Sequence, residues 1–251
     1  MNRFFWLFIA FVTLLPISIK AAVPLQFEQG RTAFINARDH IYNFDKDDQI
    51  ITYYLARSQQ VFSSLSDNKK KLYWTAQVEF LTGLSFMRKK DYPDAAIHFE
   101  ECRKLVLTAI AEYGEFSDGY ALMADTYVQL MWCKGFSYQL LHFKQLKSLP
   151  EKALKLDSTN VRAYYPLALF WIKAPQSLGG DSQKAIDLLN KVSKLSVNDK
   201  GDLFNTYYLL GTAYISKHDN TNAIRYLQMA LRIYPDNQWA KEDLESIEGK
   251  R

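Results

Sequence analysis

The stretch 204–237 constrains this chain most. It spans one 34-residue period and orders its small and large residues as a pair of antiparallel helices requires. Tyr207, Leu210, Tyr214 and Leu227 supply bulk between the helices. Gly211 and Ala223 are small enough for close approach, and Ala230 leaves room for a following unit. Pro235 stops the second helix, because its ring blocks continuation and it has no amide hydrogen to give. Such a unit cannot bury its apolar faces alone, so it needs neighbours of its own kind.

The same frame recurs upstream. Gly83, Phe86, Ala95, Phe99 and Cys102 stand at the spacing of Gly211, Tyr214, Ala223, Leu227 and Ala230, with Glu79 at the first aromatic position and Leu107 in place of the proline. Tyr120, Met123, Ala124 and Tyr127, then Ala153 and Leu156, outline a third unit. Its extra residues within 130–150 are apolar and aromatic and read as lengthening both helices. Tyr164, Leu167, Ala168 and Trp171, then Ala185, Leu189 and Val192, outline a fourth with an extended turn. In 238–248, Ala240, Leu244 and Ile247 fall on one face and Lys241, Glu242, Glu245 and Glu248 on the other, the pattern of a solvating cap.

These residues resemble the tetratricopeptide repeat (TPR) family. The resemblance implies an all-α fold, a right-handed TPR-type α-solenoid with a C-terminal capping helix. The expected organisation is a leader at 1–21, an N-terminal helix pair within 22–70 and a TPR domain over 71–251. Its repeats fall at about 76–109, 117–160, 161–198 and 204–237, followed by the cap helix. Helical spacing of Phe27, Phe34 and Ile41, and of Ile51, Tyr54, Leu55, Phe62 and Leu65, supports the N-terminal pair.

Residues 1–21 read as a secretory signal. Arg3 precedes the apolar run 4–19, which contains Pro16 and ends near Ala21 and Ala22. The run is short for a membrane span, which needs about 20 residues; a retained N-terminal anchor is the alternative. An exported, periplasmic protein without a stable span after signal removal is expected. Loss of Arg3 and Lys20 from 31 basic residues, against 27 acidic ones, leaves a net charge of +2. Acids and bases are interspersed, so no basic stripe offers nucleic acid a footing. Cys102 and Cys133 have no spacing motif; export would permit oxidation, and Cys102 falls where a repeat packs a small side chain.

Little in the chain points to catalysis. His40, His98, His142 and His218 are scattered without metal-ligand spacing, and no phosphate loop or nucleophile elbow occurs. The expectation is a non-enzymatic protein with no cofactor and no metal, whose partner is another envelope protein or peptide segment. In the TPR frame the first helix of each repeat lines a concave groove. Its candidate residues are Phe80, Leu84, Arg88, Asp125, Arg162, Tyr165, Leu169, Lys173, Tyr208 and Thr212. The lysine and asparagine of the chaperone-type carboxylate clamp are absent from them. Phe80, Tyr165 and Tyr208 instead form an aromatic strip, which Arg88, Arg162 and Lys173 would flank to orient a carboxylate-bearing partner. The competing account is that the helix at 25–42 folds back over the strip.

The loop 174–181, Ala-Pro-Gln-Ser-Leu-Gly-Gly-Asp, is similar to one in periplasmic TPR subunits associated with substrate-binding-protein-dependent transporters. That likeness implies an alternative function, an accessory transporter subunit holding an apolar small molecule in the groove. A purely structural reading also serves: two glycines for a tight connection and Asp181 as a helix cap.

Overall fold

The computed structural model describes residues 25–195 and 198–249; the expected leader lies outside them. The described residues form α1 (Leu25–Tyr42), α2 (Asp48–Ser63), α3 (Asn68–Met87), α4 (Tyr92–Tyr113), α5 (Ser117–Lys134) and α6 (Phe136–His142). They continue with α7 (Gln145–Leu156), α8 (Val161–Lys173), α9 (Ser182–Val192), α10 (Lys200–Ser216), α11 (Asn220–Ile233) and α12 (Gln238–Glu248). No strand occurs among them. The fold is an all-α solenoid of helix pairs.

Most helix starts are written in the sequence as a short polar cap. Asp47, Asp67, Asp91, Asn160, Asp181, Asp199, Asp219 and Asn237 each accept backbone amides of the helix that follows. Each such cap satisfies donors that would otherwise have no partner, and replacing one by alanine typically costs about 1 kcal/mol. In the turn before α4 and in the one before α11, the residue ahead of the cap, Lys90 or His218, takes a left-handed backbone.

Within pairs, the glycines mark where helices touch. A Cβ on Gly83 would lie 2.6 Å from Phe99 Cε1, and one on Gly211 would lie 2.7 Å from Leu227 Cγ. Both contacts are closer than carbon atoms tolerate, so each glycine sets the spacing of its pair. Glu79, the departure from the repeat pattern, accepts His98 Nδ1 at 2.8 Å across the α3–α4 pair. A polar contact thus replaces the usual apolar one.

The insert departs from expectation. Gly135 adopts φ 76° and ends α5 at Lys134, after which the chain forms a separate helix, α6, before α7 begins. The extra residues therefore build a third helix rather than only lengthening two. The loop 174–181 is a tight connection. Gly179 has φ 92°, the amide of Asp181 reaches Trp171 O at 2.9 Å, and the Asp181 carboxylate caps α9.

The helix pairs curl until the two ends meet. The first helices of successive pairs, α1, α3, α5, α8 and α10, pack side by side in that order, and α10 then touches α1. Arg38 of α1 donates to both oxygens of Asp199, at 2.7 and 2.9 Å. Tyr234 Oη donates to Asp39 at 2.6 Å, and Asn237 Nδ2 donates to Tyr42 O at 2.7 Å. Around these bonds Tyr42 packs on Phe204 and Tyr234, and Phe44 on Trp239. The inner face is therefore ringed by helices rather than left as an open trough. Both cysteines are free; Cys102 is buried against Thr126 Oγ1, and Cys133 lies 3.5 Å from Met87 Sδ.

Candidate functional site

The ring of first helices surrounds a polar centre. Arg162 comes from the first turn of α8, Asp125 from the middle of α5, Asp202 and Asn205 from α10, Tyr42 from the end of α1 and Tyr73 from α3. Each is half-buried, keeping part of its surface free although protein encloses it on many sides. Tyr42 and Tyr73 also pack on the apolar core, and the polar groups of the six converge on a partly accessible recess.

Arg162 is unusual in two respects. A cation in the first turn of a helix opposes the helix dipole, whose positive end is there, and α8 has no acid in that turn to compensate. Among the described residues its guanidinium also makes no hydrogen bond and no ion pair within 4.0 Å. Burial by itself would push its pKa down; the Tyr73 hydroxyl and the carboxylates of Asp125 and Asp202 more than offset this and hold it above the ordinary value. The group is permanently charged and has five donors. Helix stability does not account for its position.

The carboxylates around it are uneasy. Burial pushes Asp125 up to about 7, against the opposing pull of Arg162 and with a further push from Asp202. Asp202 is also raised, chiefly by burial. Burial likewise raises Tyr73 to about 12, so its hydroxyl stays protonated at neutral pH, and it accepts Gln77 Nε2 at 2.6 Å. At neutral pH the recess thus holds one fixed cation and, in Asp125, a carboxylate that parts easily with its charge. A small anion with donors and acceptors on hand would find both an unpaired guanidinium and a neutralisable competitor.

The predicted groove residues divide into three groups. Asp125 and Arg162 meet in the recess. Phe80, Leu84, Tyr165 and Thr212 are buried: Phe80 packs on Phe99, and Tyr165 Oη donates to Asp202 O at 3.0 Å. Leu169 is half-buried in the cluster around Tyr165, and Tyr208 stacks on Phe204. These side chains are packing between neighbouring helices, so no open aromatic strip results. Arg88 is engaged elsewhere, donating to Asp45 O and pairing with Asp48 at the α1–α2 turn. Lys173 is exposed and lies in the field of Asp243. Tyr42, Tyr73 and Asp202 were not singled out from the sequence. One of the three had a usable signal: Tyr73 lies seven residues, about two helical turns, before Phe80, a groove position of the repeat frame, and so shares its face.

Residues 206–237 match the family model described as tetratricopeptide repeat. No curated protein sequence matches the chain. Among solved structures, TTC0263, a thermophilic TPR protein of Thermus thermophilus, superposes with a TM-score of 0.55 over 78% of this chain and 91% of its own, at 16% identity. YrrB, described as a TPR protein with an unusual peptide-binding site, aligns over 86% of this chain and 97% of its own at 18% identity, with a TM-score of only 0.36. Residues 206–237 thus hold a tetratricopeptide repeat, and the likeness to TTC0263 gives the chain the all-α solenoid fold of TPR proteins. No helix among the described residues is long and apolar enough to cross a membrane.

Proposed function

We propose that the protein is a non-enzymatic, exported interaction module that holds a carboxylate-bearing group of another envelope protein in the recess at Arg162. The observation that carries this reading is the guanidinium itself, set against its own helix dipole and left without an acceptor. An arginine enclosed by protein gains charge-assisted hydrogen bonds from a carboxylate, which are roughly twice as strong as neutral ones. Asp125 sharpens the preference. With its proton on, it ceases to compete for the guanidinium and offers a donor instead.

The protein is also proposed to lose its leader near Ala21. N-terminal sequencing of the native protein should then begin at residue 22 or close to it; an intact Met1 would overturn export by cleavage.

Closure of the ring favours a second reading, a transporter accessory subunit holding a small solute. The recess centre is charged, so that solute would carry a carboxylate rather than be wholly apolar. Affinity purification of the tagged protein from envelope fractions tests both readings. A protein partner recovered with the natural chain and lost with a folded Arg162→Gln supports the module. A small carboxylate recovered in place of a protein supports the solute holder. Equal recovery with Arg162 and Gln would refute the role given to this residue.

A further inference from the structure

A surface outside the recess has no place in that reading. Helix α6 packs chiefly on α5 and contains no buried residue. Its inner side is occupied: His142 lies 4.1 Å from the Tyr138 ring centre and 5.2 Å from that of Tyr127. Its other side is apolar and open. Phe136 is 71% exposed, Leu140 66% and Leu141 75%, beside Trp132 at 60% in the last turn of α5. Four large apolar side chains on this short helix and the adjoining turn of α5 are more than the scattered exposure normal for a surface.

The segment that carries them has charge of one sign only. No Asp or Glu occurs between Asp125 and Glu151, whereas Lys134, Lys144 and Lys147 do. Lys144 is exposed and makes no ion pair among the described residues. Lys147 reaches Glu151 only at 3.9 Å, and Lys134 is held by Glu100 over the Tyr138 ring. Trp and Phe with leucine on one side and lysines at the rim are the composition of an element that lies in a membrane interface. A protein partner would need a cleft shaped to this surface, whereas a bilayer deforms around it. With seven residues, α6 is far too short to span.

We propose that α6 and the adjoining end of α5 form a membrane-surface contact. It seats Trp132, Phe136, Leu140 and Leu141 among the headgroups of an anionic bilayer, with Lys144 and Lys147 on the lipid phosphates. The test uses the full chain carrying Cys133→Ser and Leu141→Cys, labelled at residue 141 with an environment-sensitive fluorophore. The probe reports α6 itself, whatever the rest of the chain binds. Vesicles of phosphatidylglycerol with phosphatidylcholine should shift its emission to the blue, and phosphatidylcholine alone should do so far less. Lys144→Gln and Lys147→Gln should each weaken the response about fivefold, and high salt should weaken it further. A probe that stays in water with both kinds of vesicle would overturn the proposal. So would a blue shift that depends on protein concentration without lipid, since the occupant would then be a second copy of the chain.

Discussion

Replacing Asp125 by asparagine should stabilise the protein at alkaline pH and leave it little changed in mild acid. The folded state holds the Asp125 proton up to about pH 7, against an ordinary value of 3.8. A carboxylate raised in this way binds its proton more tightly folded than unfolded. Its penalty is therefore absent below about pH 4, grows as pH rises, and is complete above about pH 7. A gap of about 3 at 1.36 kcal/mol each gives at most about 4 kcal/mol; partial solvent access and the unmet donors of the new amide bring the expected gain nearer 2 kcal/mol. Urea melts of the natural chain and of Asp125→Asn at pH 5 and pH 8.5 measure it. The variant should match the natural chain within about 1 kcal/mol at pH 5 and exceed it at pH 8.5. If Asp125→Asn is the less stable of the two at pH 8.5, Arg162 holds the carboxylate as a partner, and the account of an unpaired guanidinium fails.

Other consequences follow from the packing. Gly211→Leu should overpack the α10–α11 contact against Leu227 and cost about 1–3 kcal/mol or more; an unchanged thermal midpoint would show that the pair is spaced otherwise. Arg38→Ala leaves Asp199 without its bonded partner in a half-buried position, and should cost about 2–3 kcal/mol. It should also raise hydrogen exchange in α1 selectively, whereas uniform exchange would argue against the ring closing through α1. Lys90→Gly and His218→Gly relieve left-handed backbone at φ 61° and 59°. Each should raise stability by about 0.5–1 kcal/mol, and a loss in both would mean that the side chains stabilise those turns.

The repeat was legible because its signal is local and steric. Gly83 and Gly211 must be small, Pro235 must end a helix, and the Asp or Asn ahead of most helices must cap it; these demands act over a few residues and leave their mark at fixed spacing. The inner face was only partly legible. Repeat positions identify which residues point inward, and they found Arg162 and Asp125. They do not show how far the solenoid curls, and curl decides whether Tyr165 and Thr212 line a groove or are packed between helices. The closing contacts join Arg38 with Asp199 and Asp39 with Tyr234, pairs too far apart in sequence for any periodicity to couple. The separate helix α6 turned on one backbone angle, at Gly135. A glycine in an apolar run permits that angle without requiring it.

The most direct measurement is the NMR signal of the Arg162 side-chain Nε–H group, assigned by its loss in Arg162→Gln and followed as acetate is added. Acetamide, with the same shape and no charge, is the control. Acetate should shift the Arg162 signal, acetamide should not, and the acetate shift should saturate at lower concentration at pH 6 than at pH 8, as Asp125 takes up its proton. In Asp125→Asn that pH dependence should vanish. An Arg162 signal that ignores acetate at both pH values, while other arginine signals respond, would contradict the recess as the binding site.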